Sequence, residues 1–256
     1  MKQPAVSLIP LPLPDEIAPG DDLAEKLVSA LARQHLRLQE GDVLVVKHKI
    51  VSKAERRLVR LQDVRPSRAA SAWSRQSGGD ARLIELVLRD SREVVRKKVI
   101  AGRGVLITET KHGFVCANSG VDLSNVDGGE HALLLPDDPD ASAGQLRSSI
   151  KRRTGISVAV IISDTFGRPW REGLTEVAIG VAGMKPLLDF RGRRDPHGYV
   201  LRASAEAVAD ELACAAGLVC GKLEGVPVCV IRGFRYKAGR GSARELLRAK
   251  KNDLFR

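Results

Sequence analysis

The feature that most constrains the fold is a run of five apolar residues at 158–162, most of them β-branched, which leads into Asp164 and Thr165. A run this short is typical of a strand buried on both faces rather than of a helix. Asp164 and Thr165 are then expected to leave the strand into a loop over 166–173 that contains glycine and proline. A carboxylate next to a hydroxyl suits a hard divalent cation. An aspartate that only caps a turn explains the same residues equally well.

The composition describes an ordinary globular chain with an excess of positive charge. Its 256 residues are 43% hydrophobic, enough for a substantial core, and the formal net charge is +11. Such a charge suits nucleic acid, an anionic membrane surface or polyanionic small molecules. Because acidic residues are interspersed with the basic ones and aromatic residues make up only 4%, we favour anionic small molecules and expect no nucleic-acid partner.

Cysteine spacing and hydropathy predict the compartment. The four cysteines form no Cys-x-x-Cys pair and have no histidine at metal-finger spacing, so we expect reduced thiols. Prolines interrupt the N-terminal apolar segment, and no stretch reaches the roughly 20 apolar residues that span a bilayer. We therefore expect a cytoplasmic protein that does not associate with membranes.

The first part of the chain predicts a strand, a helix and a second strand. Three prolines restrict 7–14 to an extended edge strand or a loop. Leucines at helical spacing predict a helix over 23–31, with Asp21 or Asp22 as its N-cap. A strand over 43–46 follows, and the lysines of 47–53 could surround a phosphate at its end or simply be solvated.

The middle of the chain predicts a boundary followed by a hairpin. The polar, glycine-containing stretch 71–80 indicates a lobe boundary or a flexible loop, and a helix is predicted from Ala81. Two strands are predicted over 104–108 and 114–117. Asp122 lies just beyond the second of them, so that it and Asp164 could meet at one metal.

Three aspartates at 137, 138 and 140 resemble a metal cluster. A capping box of Ser142 and Gln145, at the start of a helix towards Arg153, is a sufficient local explanation, and we prefer it. Further on, a strand is predicted over 177–183, a helix capped by Ser204, a strand over 226–231 and a final helix around 245–247.

The common nucleotide-binding glycine motifs are absent from the sequence. The chain nevertheless resembles the coenzyme F420-0:γ-glutamyl ligase family over nearly its whole length, and is identified as a member of it. The resemblance rests on the order and spacing of several segments, namely 20–23, 41–46 followed by 50–55, 118–125, 134–140, 163–168 and 178–183.

The resemblance implies an α+β fold of two interleaved lobes, with mixed sheets packed by helices. It implies one γ-glutamyl ligase domain over 1–256, formed of two discontinuous lobes, and a homodimer. Some actinobacterial members carry an appended flavin-binding domain, which we do not expect here.

The activity implied is a GTP-dependent ligation in coenzyme F420 biosynthesis. A carboxylate of the deazaflavin precursor becomes an acyl phosphate, and L-glutamate attacks it, with magnesium or manganese required and potassium as a further candidate cation. The positions that match metal ligands are Asp122, Asp164 and Thr165. The positions that match nucleotide contacts are Leu11, Pro12, Leu13, Pro14, His48, Lys49, Lys53, Asn125, Gly221, Lys222, Leu223, Glu224 and Gly225. No single residue stands out as a general base.

The sequence departs from the family pattern at two places. His48 and Lys49 stand where small hydroxyl residues are expected. Lys222 stands at or beside an acidic metal ligand of the archaeal members, so that either Glu224 replaces that ligand or a second metal is held differently. A metal-dependent phosphohydrolase that uses the same aspartates is the alternative enzyme, and a basic nucleic-acid-binding module is the third reading.

Overall fold

The computed structural model describes residues 5–124 and 129–254, and the predicted buried strand lies inside its largest sheet. In spatial order this sheet contains β1 (Ser7–Leu11), β12 (Val228–Arg232), β2 (Val43–Lys47), β8 (Ala159–Arg168) and β9 (Arg171–Ala182). β2 and β8 run parallel, and the other neighbours are antiparallel. Pro10 of β1 is accommodated because this strand lies at the edge of the sheet, as predicted.

Helices cover this sheet and complete a first lobe, which comprises residues 5–57 and 135–254. They are α1 (Leu23–Arg33), α2 (His48–Ala54), α5 (Pro139–Thr154) and α6 (Val208–Cys220). α5 and α6 both pack against β9. Val160, Ile161, Ile162 and Val230 have no exposed surface, as expected for strands covered on both faces.

A second lobe, whose described residues are 58–124 and 129–134, is inserted between α2 and α5. It contains the strands β3 (Leu58–Arg60), β4 (Ser91–Ile100), β5 (Arg103–Thr110), β6 (Val115–Ala117) and β7 (His131–Leu133), and the helices α3 (Arg68–Ser77) and α4 (Ala81–Arg89). Its own core includes Trp73, Leu86 and Leu106. Phe114 reaches from this lobe into the first core, where its ring meets Phe166 edge-on. The architecture confirms the predicted α+β class.

Short elements complete the chain. β10 (Leu188–Asp189) pairs with β11 (Ala205–Glu206) ahead of α6. Single 3₁₀ turns lie at Leu61–Asp63, Asn118–Gly120, Ala243–Leu246 and Lys250–Asn252. In the described part of the chain, no helix combines the length and the hydrophobicity needed to cross a bilayer.

Two predicted loops are regular structure. The stretch 71–80 lies largely in α3, which begins after the Ser67 N-cap and ends at Gly78 in the left-handed region. Asp164 and Thr165 do not leave their strand either, because β8 continues and pairs with β9 as far as Arg168. The glycine and proline residues after Thr165 therefore belong to a β-hairpin and not to a loop.

Three helix boundaries also differ from prediction. Asp138 caps α5 by accepting from the backbone N–H of Ala141, one turn before the predicted Ser142. α6 begins after Ala207 rather than after Ser204, because β11 occupies the intervening residues. The predicted final helix is only the 3₁₀ turn Ala243–Leu246, capped by Ser242 and Glu245.

Candidate active site

A cleft of about 640 Å³ opens at the end of the five-stranded sheet, where β2 stops and β8 continues. Lys47, the last residue of β2, pairs with Ser163. Asp164 and Thr165 lie beyond that pair and line the cleft. Early termination of one central strand therefore places a carboxylate and a hydroxyl at the cleft while their backbone remains held by β9.

The cleft brings together most of the predicted nucleotide contacts. Those that line it are Leu13, Pro14, His48, Lys49, Lys53, Gly221, Lys222, Leu223 and Gly225. They come from the segment after β1, from α2 and from the turn after α6. Leu11 is fully buried within β1 and does not line the cleft, whereas Leu13 and Pro14, which follow it, do. Asn125 lies outside the described residues.

Two aspartates are held by neighbouring residues at the start of α2. The Oδ1 atom of Asp164 lies 3.3 Å from Nε2 of His48, a buried ring whose Nδ1 is 3.3 Å from the Ser52 hydroxyl. Asp122, from the second lobe, accepts from the Lys49 ammonium at 2.6 Å. Because His48 and Lys49 are consecutive residues at the start of α2, this helix contacts both carboxylates that the sequence predicts as metal ligands.

The environment of Asp122 favours its ionised form. Burial opposes ionisation, but hydrogen bonds from Lys49 and from the backbone and hydroxyl of Ser124 outweigh it and hold the pKa of Asp122 below its usual value. Asp122 is thus a carboxylate at neutral pH, with one oxygen engaged by Lys49.

A second ion pair lies in the cleft wall. Its lysine, Lys47, is among those singled out from the sequence, but its acidic partner is not. Lys47 pairs with Glu176, which also accepts from the Ser163 hydroxyl at 2.7 Å. Ile179 is an extra residue in β9 between the pairs Ile162 to Gly180 and Ser163 to Ala178. Such a bulge reverses which side chains share a face, so simple alternation could not place Glu176 next to Ser163.

The donors at the cleft fit a divalent cation shared with a phosphorylated ligand. Asp164, Thr165 and Asp122 offer two carboxylates and a hydroxyl. The residues described contain no grouping of three or more His, Cys, Asp or Glu side chains able to enclose a metal by themselves. Magnesium usually keeps several waters and is bound by one or two carboxylates together with substrate phosphates. The donor set suits that mode and not an all-protein cage.

Glu224 is not among the residues that line the cleft. Its carboxylate folds back to accept from the backbone N–H of Leu223 at 2.8 Å, and such backbone hydrogen bonds lower its pKa. The charged side chain of this turn that lines the cleft is Lys222, whose Nζ lies 3.4 Å from the Thr165 hydroxyl. The proposal that Glu224 replaces an acidic metal ligand is therefore not supported by its geometry.

The acidic cluster near α5 has structural roles. Asp138 is the helix cap, and Asp137 pairs with Arg57. Asp140 accepts from the backbone N–H groups of Val181 and Ala243, which links α5 to β9 and to the C-terminal segment. The aspartates therefore have structural contacts, but the predicted capping box of Ser142 and Gln145 is wrong, because Asp138 caps the helix.

Comparison with known sequences places this geometry in context. Residues 13–233 match the family described as F420-0:Gamma-glutamyl ligase. A coenzyme F420:L-glutamate ligase of Methanothermobacter thermautotrophicus is 45% identical over 243 residues, 94% of each chain. Proteins of the same name from Methanopyrus kandleri and Methanocaldococcus jannaschii are 42% and 41% identical, and the alignments cover 99% and 86% of this chain and 98% and 86% of theirs.

The matched region includes β2, β8, β9 and the segments that line the cleft. Identity at this level over nearly full length means a shared fold and a shared arrangement of the strands that form the cleft. The chain belongs to the F420-0:γ-glutamyl ligase family.

Proposed function

We propose that the protein is a GTP- and divalent-cation-dependent ligase that joins L-glutamate to the deazaflavin coenzyme F420-0 through an amide bond, in coenzyme F420 biosynthesis. The observation that carries the proposal is the convergence of Lys49, Lys53, Lys222 and Asp164 on one cleft, in a chain of this family. The named relatives are glutamate ligases of coenzyme F420.

Lysines and backbone of the cleft would hold the triphosphate. The lysines at 47, 49, 53 and 222 come from three segments and bring ammonium groups to the cleft, which are suited to phosphate oxygens. The turn 221–225 and the segment 13–14 would contact the nucleoside. This arrangement stabilises the charge that moves from the γ-phosphoryl group to the departing GDP.

Asp164, Thr165 and Asp122 would hold magnesium or manganese, and potassium is a further candidate. When bound, the divalent ion neutralises phosphate oxygens and orients the γ-phosphoryl group. His48, between Asp164 and Ser52, fixes the direction of the Asp164 carboxylate.

The reaction proceeds in two displacements. A carboxylate oxygen of the deazaflavin precursor attacks the γ-phosphorus, the bond to the bridging oxygen of GDP breaks, and an acyl phosphate forms. The neutral amine of glutamate then attacks the acyl carbon, inorganic phosphate leaves with the former carboxylate oxygen, and the nitrogen loses a proton. Lysines that neutralise the acyl phosphate make phosphate a better leaving group.

A homodimer in the cytoplasm completes the proposal. Leu174 at the β8–β9 hairpin and Leu218 on α6 are 61% and 82% exposed. They are candidates for a subunit interface. Sedimentation equilibrium of the Leu218→Lys variant would show a shift towards monomer if α6 lies in that interface.

Mass spectrometry of the reaction product tests the activity. Incubation with F420-0, manganese, L-glutamate and either GTP or ATP should give glutamylated product with GTP in preference to ATP. Asp164→Asn should slow product formation by about 10³-fold, and Asp195→Asn, at a turn residue that does not line the cleft, should not. Hydrolysis of GTP at the same rate without glutamate, and without product, would overturn the proposal in favour of a phosphohydrolase.

A further inference from the structure

Lys222 differs from the other lysines of the cleft in its partner. Lys47, Lys49 and Lys53 each contact a carboxylate, those of Glu176, Asp122 and Glu16 respectively. Within 5–124 and 129–254, Lys222 has no carboxylate at ion-pair distance, and its hydrogen bond goes to the neutral hydroxyl of Thr165. One full positive charge therefore faces the cleft beside a proposed metal ligand, without an acidic partner among the described residues.

The turn that carries Lys222 keeps the nearest acid in sequence away from it. Glu224 is folded onto its own turn, where Oε2 accepts from the N–H of Leu223. Gly221 has φ +59°, and a Cβ added there would lie only 1.9 Å from Oε2 of Glu224. The folded position of Glu224 thus requires a glycine at 221, and it leaves the ammonium of Lys222 available to a ligand.

An ammonium without an acidic partner attracts an anion and repels a cation. The carboxylates nearest the proposed ion, Asp164 and Asp122, contact His48 and Lys49, so little negative charge is left at Thr165 to offset a further dication. A phosphate oxygen at the same place would meet both a donor and a charge of opposite sign.

We infer that Lys222 binds a phosphate oxygen of the nucleotide and supplies, at Thr165, the positive charge that a second divalent cation would otherwise bring, so that each chain binds one divalent cation. The inference rests on the proposed function, because it assumes that a guanine nucleotide occupies the cleft. It concerns the number of ions bound and the role of Lys222, both of which can be measured without turnover.

The test counts manganese by electron paramagnetic resonance, from the signal of free Mn²⁺ at saturating GDP. The wild-type protein should bind one GDP-dependent Mn²⁺ per chain, and Lys222→Glu should bind two. Two ions per chain in the wild type, or one in Lys222→Glu, would overturn the inference. If the wild type binds neither GDP nor GDP-dependent Mn²⁺, the proposed function fails instead.

GDP affinity gives a second readout. Lys222→Met should raise the Kd for Mn²⁺·GDP about tenfold, as expected for loss of one charge-assisted hydrogen bond. Lys151→Met, on the exposed face of α5, should leave the Kd unchanged. An unchanged Kd in Lys222→Met would contradict the role of Lys222.

A glycine pair tests the turn itself. Gly221 and Gly225 both have positive φ, but a Cβ at Gly225 would meet nothing within 4 Å. Gly221 has φ +59° and ψ −167°, a region that is essentially restricted to glycine, so Gly221→Ala disturbs the backbone of the turn as well as Glu224, whereas an alanine side chain at 225 displaces no neighbour. Weaker GDP binding in Gly221→Ala than in Gly225→Ala is expected, and equal binding in the two would contradict the account of the turn.

Discussion

The two lobes differ in how they take part in the cleft. Every described residue that lines it comes from the first lobe, from segments next to β1, β2, β8, β9 and α6. The second lobe contributes Asp122, which reaches the cleft through its ion pair with Lys49. Under the proposed function, the first lobe would therefore hold the nucleotide, whereas the second would contribute a carboxylate, Asp122, that lies outside the cleft lining and beside Lys49.

Substitution of Asp164 and of Asp122 should give the largest difference in activity between the two lobes. Asp164→Asn should lower the glutamylation rate by about 10³-fold, because it removes charge within the cleft. Asp122→Asn should lower it by less, about 10- to 100-fold, because Asp122 lies outside the cleft lining and is already engaged by Lys49. Initial rates at saturating GTP and glutamate measure both. Equal losses would mean that Asp122 belongs to the cleft as directly as Asp164 does.

The two cores offer a comparison in stability. Ile162→Ala and Leu106→Ala each remove a nearly fully buried side chain, in the first and the second lobe, and each should lower the free energy of unfolding by about 2–5 kcal/mol. Ile162 directly precedes Ser163 and Asp164, so its variant should also weaken Mn²⁺·GDP binding. Urea unfolding and nucleotide titration check the pair. If Leu106→Ala weakens Mn²⁺·GDP binding as much as Ile162→Ala does, the second lobe affects the cleft as strongly as the first.

The contact between the lobes should depend on pH. The pKa of Asp122 is below its usual value in the folded protein, so its stabilising contribution is present above the ordinary carboxyl pKa of 3.8 and is lost as pH falls through the lower folded value. Thermal unfolding between pH 6 and pH 2.5 should lose less stability in Asp122→Asn than in the wild type. Lys49→Met should flatten the same profile, and a profile identical to wild type would contradict the assignment.

Asp210 in the first lobe should show the opposite sign. It accepts from the backbone N–H of Ala178 at 2.8 Å, and burial raises its pKa. The stability linked to it is present below 3.8 and decreases as pH rises through the folded value. Asp210→Asn keeps an acceptor oxygen and should stabilise the fold at pH 7, by less than about 1 kcal/mol, with no gain near pH 3. A loss of stability at pH 7 would mean that the charge itself is needed.

The lobes also differ in how well the sequence predicts them. β2, β8 and β12 are covered on both faces, so their continuous apolar runs were sufficient to locate them. β4 in the second lobe was missed because most of its side chains are exposed, with charged residues at Arg92, Arg96, Lys97 and Lys98. α3 was missed because its buried face consists of only Ala70, Trp73 and Ser77.

Prediction of the cleft had a similar limit. Asp164 follows the buried half of β8, and the lysines of 47–53 lie at or just after the end of β2, so apolar runs in the sequence point to both. The Glu176 and Ser163 pair depends on a bulge at Ile179, and the contact of Lys222 with Thr165 depends on how a five-residue turn folds. Contacts between segments that are distant in the chain leave no pattern within either segment, so the sequence alone does not predict them.

Isotope transfer tests the central claim, that the cleft activates a substrate carboxylate by phosphorylation. Deazaflavin precursor carrying ¹⁸O in the reacting carboxylate is incubated with GTP, manganese and L-glutamate, and the released phosphate is analysed by ³¹P NMR. The account predicts one ¹⁸O atom in each phosphate released, in amounts equal to the amide formed. Phosphate without ¹⁸O, released whether or not glutamate is present, would contradict it.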